Sequence, residues 1–203
     1  MSRYTGPRLK IMRALGTDLP GLSPKLSERR PYPPGQHGQR RRKETEFGKR
    51  LKEKQKLRMN YGVSERQMRI VFKQASRSKL NTGTKLVELL ERRLDNVVFR
   101  AGFAASIPAA RQLVNHGHLR VNGRRVDIAS YRVKVGDVIA VQPKSKDLAC
   151  VLSSLEAKRG WDTSWLTPNK EERSVIVNAL PDESAVLFPL EVQLVIEFYA
   201  QGS

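Results

Sequence analysis

A single cysteine, three histidines and an aromatic content of 6% leave little for several kinds of chemistry to use. Cys150 alone permits no internal disulfide, and it stands at no usual ligand spacing from the histidines. A structural zinc site wants about four Cys or His ligands, so no metal is expected, and no cofactor. No apolar run approaches the roughly 20 residues that a bilayer-spanning helix needs. Met1-Ser2-Arg3-Tyr4 leads straight into basic sequence without an apolar leader segment, so the chain is expected to remain in a compartment that contains nucleic acid, away from membranes. The phosphate-cradling glycine loop, His-Glu-x-x-His, the paired-cysteine motif and the Gly-x-Ser-x-Gly elbow are all missing, which argues against an enzyme.

Acidic residues are scarce at one end only. The 203 residues carry 38 Lys and Arg against 20 Asp and Glu, a net charge of +18. Residues 1–80 hold +16 of it, 81–150 hold +6, and 151–203 are net −4. A basic solvated surface would not need so steep a gradient. One end is built to meet a polyanion and the other mainly to fold.

From Met1 to about Thr45, Pro and Gly punctuate basic residues and leave little room for a packed core, which predicts a basic arm that orders on RNA. Arg3, Arg8 and the block Arg40-Arg41-Arg42-Lys43 are its candidate phosphate contacts. Glu46 to Met59 reads as a basic helix, with Phe47 and Leu51 on one side and cations including Lys49, Arg50 and Lys56 over the rest. Gly62 ends it, and Ser64 with Gln67 three residues on opens another, with Val63 stapled against Met68. An apolar stripe from Leu86 to Ala101 predicts a long helix beginning near Thr82 or Thr84 and stopping at Gly102. A further helix runs from Ser106 to a left-handed exit at Gly117.

Asn122-Gly123 between alternating segments predicts a two-residue type I′ hairpin, in which Leu119 pairs with Val126 and Arg120 with Arg125. Two opposed arginines repel, so they make better sense facing phosphate, with Arg124 and Lys134 nearby. Val133, Val135 and Val138–Val141 suggest further strands, and the alternation of Leu190, Val192, Leu194 and Ile196 suggests a last one. Residues 142–189 are hard to read, apart from a Trp161–Trp165 pair, a Pro168-Asn169 turn and a strand at Ser174–Val177; they receive no site. His116 and His118 beside the hairpin could be a general base, a metal pair or RNA-contact donors, and no acidic partner lies nearby in sequence. His37 in the arm is either an RNA contact or solvent-exposed.

The expected fold is α+β: an arm at 1–45, a basic, mostly helical domain at 46–91, and a mixed α/β domain at 92–203 with a helix-helix-β-hairpin module at about 92–155.

The segments Arg92-Arg-Leu-Asp-Asn-Val-Val-Phe-Arg-Ala-Gly-Phe103, Ala109-Ala-Arg-Gln-Leu-Val-Asn-His116 and His118-Leu-Arg-Val-Asn-Gly123 resemble the RNA-binding module named after the fourth protein of the small ribosomal subunit. Certain pseudouridine synthases, tyrosyl-tRNA synthetases and a heat-shock ribosome-associated protein also carry that module. Ser2-Arg-Tyr-Thr-Gly-Pro-Arg8, Tyr32-Pro-Pro-Gly-Gln-His-Gly38, Glu53-Lys-Gln-Lys-Leu-Arg58-Met-Asn-Tyr-Gly62 and Val195-Ile-Glu-Phe-Tyr199 resemble the ribosomal family itself. The resemblance therefore covers nearly the whole chain. It implies a structural constituent of the small subunit, a primary binder of the 5′ domain of 16S-type rRNA that nucleates assembly of the subunit body and influences decoding accuracy. Its implied protein partners are small-subunit neighbours near the channel by which mRNA enters, on cytoplasmic or plastid ribosomes. By position, Arg92, Arg93, Arg100, Arg111, Gln112, His116, Arg120 and Asn122 would form the module's RNA surface, with Asp95 organising the arginines. Many bacterial members bind zinc through an N-terminal cysteine cluster that this sequence lacks, and the cysteine-free opening resembles cyanobacterial or plastid members. The alternative is an RNA-modifying or quality-control protein that docks through the same module.

Overall fold

A computed structural model describes residues 4–40, 43–157, 164–169 and 171–201, and it divides into two compact units, 1–86 with 186–203, and 87–185. The expected partition put everything after residue 92 into one α/β domain. Instead the C-terminal segment joins the N-terminal helices.

In the first unit, α1 (Arg8–Leu15) lies where an arm was expected. Met12, Leu15, Leu19 and Leu22 are buried, and the Gly21 N–H donates to Asn60 Oδ1 at 2.9 Å. Residues 8–23 are thus a helix and a packed loop, because four well-spaced apolar side chains outweigh the Pro and Gly around them. The described stretch from Pro24 to Arg40 is largely exposed, and Arg13 ties it down by donating to the carbonyls of Arg30 and Tyr32, both at 3.0 Å. Helix α2 (Glu46–Asn60) starts where Thr45 Oγ1 accepts from the Gly48 N–H, and Gly62 turns the chain out at φ 59°. Ser64 then caps α3 (Glu65–Ser76) by accepting from the Gln67 N–H.

The segment read as a strand from residue 190 is helix α8 (Val192–Gln201). Its apolar residues fit either period, but the two buried ones, Val195 and Tyr199, are four apart as on one helix face, and α8 packs against α2 while the Tyr199 ring stacks on Phe72 of α3. Arg50 pairs with Glu197 at 2.8 Å, Lys54 Nζ lies 4.8 Å from the Phe198 ring centroid, and the Tyr199 hydroxyl donates to Glu65 at 3.0 Å.

The expected long helix from Thr82 is broken. Helix α4 (Thr82–Glu91) ends, Arg93 is extended at ψ 137°, and α5 (Leu94–Arg100) begins. The backbone N–H groups of Leu94 and Asp95, orphaned by that new start, donate to the carbonyls of Tyr131 and Ala129 at 2.8 and 3.2 Å. Helix α6 (Ile107–Asn115) follows and leaves through Gly117 at φ 75°. Next come strands β1 (Leu119–Val121) and β2 (Arg124–Arg125), joined by Asn122 and Gly123 at φ 50° and 79°, the left-handed pair of a type I′ turn.

Strands β3 (Val138–Val141), β4 (Leu166–Asn169) and β5 (Ser174–Val177), with helix α7 (Ala149–Glu156) between β3 and β4 in the chain, complete an antiparallel sheet of order β2-β1-β3-β5-β4. Leu119, Val121, Ile139, Val141, Val175 and Val177 fill one face, while Arg120, Ala140, Ile176 and Thr167 share the other. Pro168 sits in the edge strand β4, not in a turn, a place where its missing N–H costs no ladder bond. Val133 and Val135 belong to no strand; a single bridge, Arg93 to Arg132, stands there. Trp161 lies outside the described residues. No helix among the described residues is long and apolar enough to cross a membrane.

Candidate nucleic-acid interface

At the start of α5, Asp95 is fully buried and gathers two arginines. Its Oδ1 accepts from Arg93 Nε at 3.0 Å, and its Oδ2 from Arg93 Nη2 at 2.8 Å and Arg111 Nη2 at 2.6 Å. One carboxylate therefore fixes a side chain from the α4–α5 joint and one from α6, as expected of Asp95. Arg92 is held separately by Glu88 at 2.7 Å and by the Val133 carbonyl at 2.8 Å. Arg93 itself is mostly buried, so its guanidinium works from inside this cluster rather than from an open surface.

The hairpin provides a second basic surface. Arg120 and Arg125 are direct cross-strand partners, and Arg124 is exposed beside them. Arg125 lies over Gly117, where any Cβ would overlap its guanidinium. Gln112 and His116 are exposed near the exit of α6. His118 shares a hydrogen with Ser145 Oγ at 2.8 Å, and its ring centroid is 6.0 Å from that of His116. Among the described residues no group of three or more His, Cys, Asp or Glu is placed to hold a metal ion. Lys134 is exposed, its backbone N–H bound by Asp137.

Two expected contacts of this unit turn inward. The Arg100 side chain is 1% exposed, forked onto Glu91 at 2.8 and 3.2 Å, and also donates to the Ala185 carbonyl. It faces the interior because Glu91 lies on the preceding helix, where Asn96 also donates to that carboxylate. The Asn122 amide is committed as well: Nδ2 donates to Asp137 at 2.9 Å while Oδ1 accepts the Val138 N–H at 2.9 Å, clamping the turn to β3.

In the first unit, Arg40, Lys43 and Lys49 are exposed, and Arg8 and Arg50 are half-buried. Glu46, hydrogen-bonded to Lys49, raises the lysine's pKa above its ordinary value. Lys56 is buried and donates to Glu53 at 2.6 Å and to the Pro189 carbonyl at 3.3 Å, so it anchors the C-terminal segment instead of facing solvent. A cleft of about 530 Å3 nearby sets Lys49, Lys52 and Lys56 against Glu44, Glu46, Glu53 and Glu191, a balance unsuited to a polyanion. Arg3, Arg41 and Arg42 lie outside the described residues.

Sequence reasoning left out Arg125 and Arg132 as site residues. The hairpin register already pointed to Arg125. For Arg132 no periodicity or motif gave a signal, because its place depends on a bridge to a residue 39 positions earlier.

Residues 3–91 match the family described as "Ribosomal protein S4/S9 N-terminal domain", and residues 92–139 match the S4 domain. Small ribosomal subunit protein uS4B of Nitrosomonas europaea is 54% identical over 202 residues, covering 98% of both chains. The uS4 protein of Thermus thermophilus is 50% identical over 209 residues, 99% of this chain and 100% of the relative. That of Gloeobacter violaceus is 51% identical over 208 residues, again 99% and 100%. With both of its domains matched and such identity sustained end to end, the chain belongs to the uS4 family, structural proteins of the small ribosomal subunit.

Proposed function

We propose that this chain binds 16S-type rRNA at a junction in the 5′ domain as a primary binder, nucleates assembly of the subunit body and influences translational accuracy. It works as a scaffold, not as an enzyme, beside neighbouring small-subunit proteins near the channel by which mRNA enters, on ribosomes of the cytoplasm or of a plastid. The observation that carries this reading is the backbone-enforced opposition of Arg120 and Arg125 in the hairpin, with Arg124 exposed beside them. Like charges set directly opposite destabilise a fold, and a phosphate backbone is the ligand that offsets them.

The basic first unit supplies affinity by displacing counterions, with a log-log salt slope of about −0.7 to −0.9 per phosphate neutralised. The second unit supplies selection. Base edges are hidden in the deep major groove of A-form RNA, so a rigid surface reads the shape of a folded junction. Docking by an RNA-modifying or quality-control enzyme is the rival reading; relatives matched over nearly their whole length and named as ribosomal proteins favour the scaffold. Hydroxyl-radical footprinting on protein-free small-subunit rRNA tests the proposal. Protection concentrated in the 5′ domain, with no other protein present, is the expected result, and protection spread over all domains contradicts it.

A further inference from the structure

We infer that the outer face of α3, carried by Arg66, Lys73 and Arg77, is a docking surface for RNA backbone, and that α3, not the more basic α2, is where the first unit meets phosphate. This deepens the proposed function and rests on its RNA-binding part.

Helical spacing sets the three cations in one row. With 3.6 residues per turn they fall within about 40° of one another, and the stretch from Arg66 to Arg77 spans ~16 Å, enough to follow several phosphates. All three are exposed. The opposite side of the helix fixes the row: Met68, Val71 and Ala75 are buried, and the Phe72 ring stacks on Tyr199 at 4.9 Å. With its apolar face committed to that core, α3 has none to lay into a lipid surface and meets a polyanion through charge alone.

Charge pairing separates the two helices. On α2, Lys49, Lys52 and Lys56 are joined to Glu46, Glu44 and Glu53, Arg50 to Glu197 and Lys54 to Glu65, at 2.6 to 3.2 Å. On α3 the balance is different, because no Asp or Glu occurs between Glu65 and Glu88. Glu65 is bonded to Lys54 and Tyr199 and reaches only Arg69 of the α3 cations, at 3.8 Å. Arg66, Lys73 and Arg77 form no ion pair among the described residues. A phosphate that approaches a paired lysine also meets the carboxylate beside it, whereas an unpaired cation offers its whole charge.

The fold itself does not account for the row. Lys73 and Arg77 suit the negative end of the helix dipole, but Arg66 stands in the first turn, where a cation opposes it. The helix gains nothing from Arg66 at that place; a ligand outside it does.

The test uses the full chain as wild type, as Arg66→Ala/Lys73→Ala/Arg77→Ala, as Arg66→Ala alone and as Lys49→Ala/Lys52→Ala, each checked by circular dichroism and thermal melting. Binding to a 5′-domain rRNA fragment and to an unrelated structured RNA is titrated across salt. The triple variant is expected to lower the log-log salt slope by about 2 to 3, the share of three phosphates. The fall appears with both RNAs, because backbone contacts carry no sequence information. The α2 double variant lowers the slope by less than ~1. Arg66→Ala alone lowers it by about 0.8 and leaves the melting temperature unchanged or higher, a combination that a merely structural arginine would not give. If the triple variant does not fold, Arg66→Ala decides. A wild-type slope in the folded triple variant overturns the inference and leaves this face to an acidic protein partner or to solvent. A loss from α2 as large as that from α3 overturns it as well. A wild type that binds both RNAs alike sinks the junction-specific rRNA reading instead, since the α3 surface is read from the slopes.

Discussion

Replacing Arg100 with methionine separates interior charge from RNA-facing charge. Arg100 and Glu91 are each 1% exposed at their side chains and joined by two hydrogen bonds, at 2.8 and 3.2 Å. Methionine fills much of the volume but leaves the Glu91 carboxylate without its cation. Removing one partner of a buried pair costs about 3–5 kcal/mol, because the other charge stays buried. In a unit of this size each kcal/mol moves the melting midpoint by about 4–8 °C, so a fall of at least ~12 °C is expected. Trp165, buried within residues 87–185, gives a fluorescence change that follows that unit. Arg100→Met combined with Glu91→Leu should recover most of the loss, since an apolar replacement of the whole pair leaves no stranded charge. The salt slope of RNA binding should not change in either variant. A midpoint within about two degrees of wild type together with a slope reduced by about 0.8, one phosphate's worth, would refute the burial argument and return Arg100 to the RNA surface.

Three further outcomes are expected. Gly117→Ala places a side chain at φ 75° and against the Arg125 guanidinium. It should cost about 1–2 kcal/mol in thermal melts and weaken RNA binding, whereas Gly123→Ala, with open space around it, should pay only the backbone term and leave the affinity alone. At Glu65, burial pushes the pKa up, but the Lys54 hydrogen bond and charge, the Tyr199 hydroxyl and Arg58 together bring it below 4.5. The stability it contributes is therefore present above about pH 4.5 and lost as pH falls through the folded value, and Glu65→Gln should flatten that acid limb in far-UV melts. Lys56→Met should lower the melting temperature of the helical unit without altering the RNA salt slope, while Arg111→Ala should weaken fragment binding in a titration at constant salt.

Local signals carried much of the fold. Asn122-Gly123 fixed a hairpin whose register set Arg120 against Arg125, and Thr45, Ser64, Gly62 and Gly117 mark helix ends where their side-chain oxygens or left-handed backbones require them. What depends on distant partners was not legible. No Pro or Gly announces the break at Arg92-Arg93, which exists because carbonyls of residues 129 and 131 accept the N–H groups of a new helix start. The period-two pattern from Leu190 could not reveal that α2 waits for a helical face. Burial separated the cations in the same way: Arg100 and Lys56 read as surface charges until Glu91 and Glu53 are seen behind them, and Arg132 read as nothing until Arg93 is seen across from it.

The central claim is selective binding of a folded ribosomal RNA junction. Titration of the full chain against a 5′-domain small-subunit rRNA fragment, in moderate salt and with excess unrelated structured RNA, tests it most directly. Tight binding that survives the competitor is predicted, and loss of binding in proportion to any added RNA would contradict it.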